Sequence, residues 1–281
     1  MRHLILLLAG ILFSQTAFAA MEGGRPLFNG KDLTGWETYL GKPYKTWEVP
    51  GLKRGTNGVY LEPVGTNSDP LKVFTVETVD GQPAIHISGQ GFGTMTTTEV
   101  FTNYHLRLEM KWGERRWANR INSRRDSGLL YHCHGELGAI SGNWPRSIEF
   151  QIQEQDIGDL YPVGMQISVK VRQEKTNLWV YDPKGVPRMF EKNRRCVKMG
   201  DAEKPRGEWN TLDLYCFNGD SVHIVNGQVM MRLQHAERVD GEAPAPLTAG
   251  TISLQSEGAE VYYRNVEIQP LTEAPTELKD E

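Results

Sequence analysis

The sequence predicts an all-β fold, a sandwich or barrel built from short strands, and three observations carry that expectation. Apolar and polar residues alternate strictly over 104–112 (YHLRLEMKW), which puts Tyr104, Leu106, Leu108, Met110 and Trp112 on one face and leaves the other to charge. Short apolar segments are separated by turn signals, including Asn29-Gly30, Asn218-Gly219 and Asn226-Gly227, in a chain with 29 glycines and 15 prolines. No helical apolar period persists beyond about two turns. At 281 residues without an internal repeat, one large domain over 21–271 is the economical reading, with 272–281 a flexible acidic tail.

Composition narrows the function classes. Hydrophobic residues make up 39% and charged residues 23%, an ordinary globular balance, and the formal net charge of −4 leaves no basic footprint for nucleic acid or an anionic membrane. Residues 1–20 read as a secretory signal peptide. Arg2 and His3 precede an apolar run over 4–13, and Ala17-Phe18-Ala19 suits cleavage after Ala19 or Ala20. The run is too short to span a bilayer, so a periplasmic or secreted location is expected. In an oxidising compartment the three cysteines leave at least one unpaired; Cys196 and Cys216 are the favoured pair, and Cys133 is a small buried hydrophobe.

The elements follow in order. Residues 25–36 (RPLFNGKDLTGW) are turns around apolar anchors, and 46–49 and 58–62 are short strand candidates before a loop at 63–70. Strands are expected at 84–88, 96–101 and 104–112. The basic segment 113–125 is either a solvated loop or a rim that touches hydroxyls or a carboxylate. Strands follow at 127–134, 146–153, 165–172 and 178–181, then a long basic loop at 183–207. Residues 208–217 and 221–225 form a hairpin, 228–233 a second across Asn226-Gly227, and 250–255 and 261–270 close the domain.

The chemistry concentrates between 126 and 159. On 146–153, Ser147, Glu149, Gln151 and Gln153 share a face opposite Ile148, Phe150 and Ile152. A strand face with one carboxylate and two carboxamides is too polar for core. On the preceding strand the same alternation turns His132 and His134 one way and Tyr131 and Cys133 the other. Glu149 is the candidate base, with His132 or His134 as acid; His132, His134 and Glu149 together could hold a divalent metal ion. Gln151 and Gln153 would orient hydroxyls, and Trp144, in Gly142-Asn143-Trp144-Pro145, could carry a pyranose ring or simply pack its loop. Arg146 is either a substrate contact or, like Arg264, a salt-bridge partner of Glu149. One carboxylate argues against the paired carboxyls of ordinary glycoside hydrolysis. It suits a substrate whose ketone acidifies a neighbouring C–H, so that a single base begins β-elimination of the glycosidic substituent.

Six ordered stretches then carry a resemblance: LFNGKDLTGW (27–36), DSGLLYH (126–132), SIEFQIQ (147–153), GEWNTLDLYC (207–216), HIVNGQVM (223–230) and GTISLQSEGAEVYYRNVEIQPL (250–271). The chain resembles the 3-keto-disaccharide hydrolase domain family over nearly its whole length after residue 20. The resemblance implies a concanavalin A-like jelly roll of two antiparallel sheets and an exported enzyme that cleaves glycosides oxidised at C3, by hydrolysis or by elimination and hydration. It implies site roles for Glu149 and Gln151, for Gln255 and Glu257 in LQSEG, and for Arg264 and Asn265 in YYRN. The chain departs from the family where an arginine commonly ends the first central strand; here Tyr131-His132-Cys133-His134 stands. A non-catalytic lectin-like module is the alternative, since such folds host both. A two-carboxylate glycosidase would place a second Asp or Glu about 5–10 Å from Glu149.

Overall fold

The computed structural model describes residues 20–279, so the signal-peptide expectation for 1–20 falls almost wholly outside the described residues. The chain forms two antiparallel sheets packed face to face, the all-β sandwich that the alternation predicts. The larger has a path of nine strands, Leu178–Tyr181, Met165–Lys175, Gln228–Arg238, Asp220–Val225, Asn210–Phe217, Tyr104–Arg116, Ala259–Pro270, Gln82–Ile87 and Phe74–Val79, with three short strands attached. The smaller runs Leu160–Val163, Arg146–Gln153, Asp126–His134, Thr251–Ser256, Gly93–Thr97, Trp36–Leu40 and Gly65–Thr66. Among the described residues the only helical elements are 3₁₀ turns at Ala118–Arg120 and Thr276–Leu278, and no helix is long and apolar enough to cross a membrane.

Alternation decides what fills the space between the sheets. Leu106, Leu108 and Met110 are fully buried from one side, and Ile148, Phe150, Ile152, Leu129 and Tyr131 meet them from the other. Each such side chain contributes about 1.5–3 kcal/mol by leaving water, which holds the two layers together. The odd-numbered residues of Arg146–Gln153 must then face away from the core, on the outer side of the smaller sheet. Thr94, Thr96, Ser253 and Gln255 on that outer face are buried too, and the segment 135–145 packs on it where Ile140 and Trp144 meet Leu130, Cys133 and Val163.

Several local expectations change. Residues 46–49 and 58–62 are not strands; 58–62 makes only an isolated bridge, Arg54 to Tyr60. Phe74–Val79 and Leu160–Val163 are strands, and so is Val186–Glu191, within the expected basic loop, where it pairs with Met165–Lys175. The favoured Cys196–Cys216 disulfide is absent: all three cysteines are free and buried. Cys196 lies in a bridge beside Leu160, at the edge of the smaller sheet, and Cys216 belongs to the larger sheet opposite Tyr104. The described part of the C-terminal tail is tied down where Arg232 Nε donates to the Glu277 carbonyl (2.7 Å).

Candidate active site

Cross-strand register builds a pocket on the outer face of the smaller sheet. Leu130 lies opposite Glu149, Gly128 opposite Gln151 and Asp126 opposite Gln153, while Tyr161 flanks Glu149 from the edge strand. Leu254 pairs with Leu129, which brings Gln255 alongside from the other flank. The result is a cavity of about 260 Å³ lined by Glu149, Gln151, Gln153, Gln255, Glu257, Asp126, Arg120, Trp144 and Tyr161, with Ser141, Val163 and Asn193 at its rim.

Two glycines make room for it. A Cβ on Gly128 would lie 2.5 Å from both Glu149 Oε1 and Gln255 Oε1, so the floor of the pocket exists because position 128 has no side chain. Gly258, with φ of +80°, turns the chain out of the smaller sheet, and a Cβ there would lie 2.8 Å from Arg120 Cγ. Arg120 therefore lies across this turn and reaches into the pocket.

The electrostatics are those of three carboxyl groups around one guanidinium. Arg120 Nη2 donates to Asp126 Oδ2 and to Glu257 Oε1 (2.8 Å), and Gln153 Nε2 donates to Asp126 Oδ2 (2.8 Å). Glu149 has no ion pair or hydrogen bond to other described residues. Burial, reinforced by the charges of Glu257 and Asp126, pushes its carboxyl well above the usual range. Burial and then Glu257 do the same to Asp126, and burial raises Glu257. One guanidinium supports about one carboxylate, so burial and mutual repulsion bias the set towards its protonated forms. Asp126 Oδ1, Gln151 Oε1, Gln255 Oε1 and Arg120 Nε are buried without a hydrogen-bond partner among the described residues. Buried polar atoms left unpaired are costly, and the four around this pocket are available to hydrogen-bond a polar ligand.

The expected site residues divide cleanly. Glu149, Gln151, Gln153, Gln255, Glu257 and Trp144 meet in the pocket, where Trp144 stacks on Phe92 (6.2 Å between ring centres, 24°). The expectation of a single carboxylate is corrected, because Asp126 and Glu257 join Glu149. Arg120 shows that the basic segment does supply a rim residue, although Arg115 and Arg116 are exposed. Arg146 sits opposite His134 at the strand end and does not line the pocket. Arg264 and Asn265 lie on the other sheet, both donating to Glu109 Oε2 (2.8 and 2.7 Å), with the Arg264 guanidinium over the Trp209 ring. After Glu257 the chain crosses at Gly258 into the larger sheet, which separates LQSEG from YYRN.

His132 and His134 are also displaced, for a different reason. Between Tyr131 and His134 two residues oppose one, Ser147, on the strand Arg146–Gln153, and between Leu130 and Cys133 two oppose one, Ile252, on Thr251–Ser256, a β-bulge at which His132 takes φ of +50°. The extra residue inverts the alternation: Cys133 joins Leu130 and Val163 on the pocket side, while the buried His132 ring lies against Tyr131 and Tyr104. His134 turns to Asp240 (3.5 Å). Neither imidazole joins Glu149 in the pocket, so the acid role and the His132, His134 and Glu149 metal set are not assembled. Among the described residues no three His, Cys, Asp or Glu are grouped to hold a metal ion.

The His132 imidazole has a measurable consequence. Burial, then His134, lowers its pKa to about 4 from 6.5, and neither ring nitrogen has a partner. The unfolded chain therefore binds this proton first: stability is complete above about pH 6.5 and is lost as pH falls towards 4, by an amount on the order of 3 kcal/mol. Compared by urea unfolding between pH 4.5 and 7.5, wild type should lose stability relative to His132→Phe as pH falls, while His223 (lowered to about 3 by burial) and the raised carboxyls of Glu149, Asp126 and Glu257, which act in the opposite sense, contribute to both proteins alike. An unchanged pH slope in the variant would refute the assignment.

The profile of a family described as 3-keto-alpha-glucoside-1,2-lyase-like domain matches residues 23–269. Among solved structures the chain is similar to a candidate glycosyl hydrolase from Parabacteroides distasonis ATCC 8503 (20% identity, 89% of this chain and 94% of that one, TM-score 0.49). It is also similar to the carbohydrate-binding module CBM66 from Bacillus subtilis (8%, 69% and 91%, 0.41) and to a β-glucanase from Bacillus licheniformis (12%, 89% and 99%, 0.42). No match was found among curated proteins.

Proposed function

The chain belongs to the 3-keto-alpha-glucoside-1,2-lyase-like domain family, and on that premise we propose that it cleaves the glycosidic bond of 3-keto-glycosides by elimination, followed by hydration. The observation that carries this reading is Glu149: a buried, unpartnered carboxyl on the pocket floor, beside acid groups that share too few cations. In its ionised form Glu149 takes the proton from C2, which the C3 ketone acidifies. The C–H electron pair becomes an enolate, and the Arg120 Nε–H, unpaired in the free protein, supports the oxygen. As the C3 carbonyl re-forms, the C1–C2 double bond forms and the C1–O bond breaks. The leaving oxygen collects a proton held between Asp126 and Glu257, and Gln151, Gln153 and Gln255 orient the hydroxyls. Adding water across the double bond completes net hydrolysis.

A second reading has an observation of its own. Asp126 and Glu257 share the pocket with Glu149, as a two-carboxylate hydrolase of unoxidised glycosides would require. Incubating the protein in D₂O with a 3-keto-glucoside and with the matching unoxidised glucoside separates the two. Elimination and hydration predict turnover of the first alone, with deuterium at C2 of the released sugar. Turnover of the unoxidised substrate would favour the second reading, and turnover of neither would end both. From the apolar run over 4–13 and Ala17-Phe18-Ala19 we also propose that the enzyme acts outside the cytoplasm. N-terminal sequencing of the exported chain should find it starting at Ala20 or Met21.

A further inference from the structure

A second cavity, of about 430 Å³, shares Ser141 with the first and is lined by Tyr39, Lys42, Pro63 and the Ser141-Gly142-Asn143 ridge. Ser141 lines both cavities, so one extended ligand could occupy the two with its linkage at Ser141. The ridge is closely fitted to the sheet: Tyr39 Oη donates to the Gly142 carbonyl (3.2 Å), and a Cβ on Gly41 would lie 2.0 Å from Asn143 Oδ1. A ridge held in this way divides a substrate into two units at a constant position.

The two cavities differ in what they offer a carboxylate. Three carboxyl groups line the first, and its only cation, Arg120, is already committed to two of them. The second contains one ionisable cation, the exposed Lys42 ammonium, and no carboxylate among its lining residues. Lys42 makes no ion pair with any other described residue. Its remaining lining offers the Tyr39 ring and Pro63 as an apolar wall and the Asn143 carboxamide to hydroxyls, which fits a ring-sized unit.

Resting on the elimination reading above, we propose that the second cavity is the leaving-group subsite and that it selects an acidic sugar, a uronic acid unit whose carboxylate meets Lys42. The charge pattern also sets orientation. A carboxylate placed in the first cavity would face Glu149, Asp126 and Glu257, so a substrate with one anionic end binds with its neutral, oxidised ring over Glu149.

Two measurements test this. The first is binding of free glucuronate and free glucose to the wild-type protein, followed by NMR titration, and needs no catalysis. Glucuronate should bind about 3–5-fold more tightly, the worth of a partly screened ion pair. The preference should disappear in Lys42→Met, persist in Lys45→Met, and shrink in 1 M salt, where screening acts within about 3 Å. The second compares kcat/KM for 3-keto-glucosides whose leaving unit is glucuronate or glucose; the same preference should appear, mainly in KM. Equal binding of the two sugars, or a preference that survives Lys42→Met, would overturn the proposal. Failure to turn over either glycoside would instead count against the elimination reading, and the binding measurement would still decide the subsite.

Discussion

Glu149→Gln is expected to lower kcat/KM for a 3-keto-glycoside by about 10²–10⁴-fold, the usual worth of a positioned proton-transfer group, without loss of stability. The second half of that expectation is what makes the first informative. Glutamine has almost the same shape, and Glu149 gives up no ion pair or hydrogen bond in the exchange. Removing a buried carboxyl that burial and two like charges disfavour should leave the melting temperature unchanged or raise it. The pH profile adds a third readout. Because the carboxyl is held well above its ordinary range and must be ionised to act as base, wild-type kcat/KM should rise with pH on a limb displaced above that of a free carboxylate. Rate assays across pH, with thermal melts of both proteins, check all three. A variant retaining activity within ten-fold of wild type would remove Glu149 from the chemistry.

Gly128→Ala is expected to be as damaging to activity and also to cost stability. The added methyl would lie 2.5 Å from carboxyl and carboxamide oxygens on both flanking strands, well inside van der Waals contact. Overpacking of this kind costs about 1–3 kcal/mol, and in a chain of this size Tm falls by about 2–4 °C per kcal/mol. Glu149 and Gln255 must swing away to admit the methyl, and misplacing a reacting group by about 1 Å can cost 10²-fold in rate. A double variant, Gly128→Ala with Glu149→Ala, separates the effects: shortening the Glu149 side chain relieves one of the two contacts, so stability should partly return while activity does not. Full activity in Gly128→Ala would show that the pocket floor is not where catalysis occurs.

The sandwich was legible because its strands are local statements. Tyr104–Arg116 and Arg146–Gln153 alternate so regularly that the core-facing side could be assigned residue by residue, and the apolar core follows it, although both faces of Arg146–Gln153 are buried. The polar face of Glu149, Gln151 and Gln153 was legible for the same reason. What joins it was not, because partners across a sheet depend on register between segments distant in sequence. Asp126 enters by pairing with Gln153, and Arg120 by lying over Gly258, far from both in the chain. The histidines misled through one inserted residue. An H-x-H pattern reads as one face only if the strand keeps its period, and a bulge leaves little trace in a single sequence. Arg264 misled because LQSEG and YYRN, nearly adjacent in the chain, belong to different sheets.

The shared protons of Glu149, Asp126 and Glu257 also bear on calorimetry. A neutral sugar that displaces water from the cavity makes the ionised forms costlier still, so binding should draw protons from the buffer. The apparent binding enthalpy should then vary with the ionisation enthalpy of the buffer, as in phosphate against Tris, and the slope counts the protons taken up. A positive slope would make the pocket a proton store that fills as the ligand arrives.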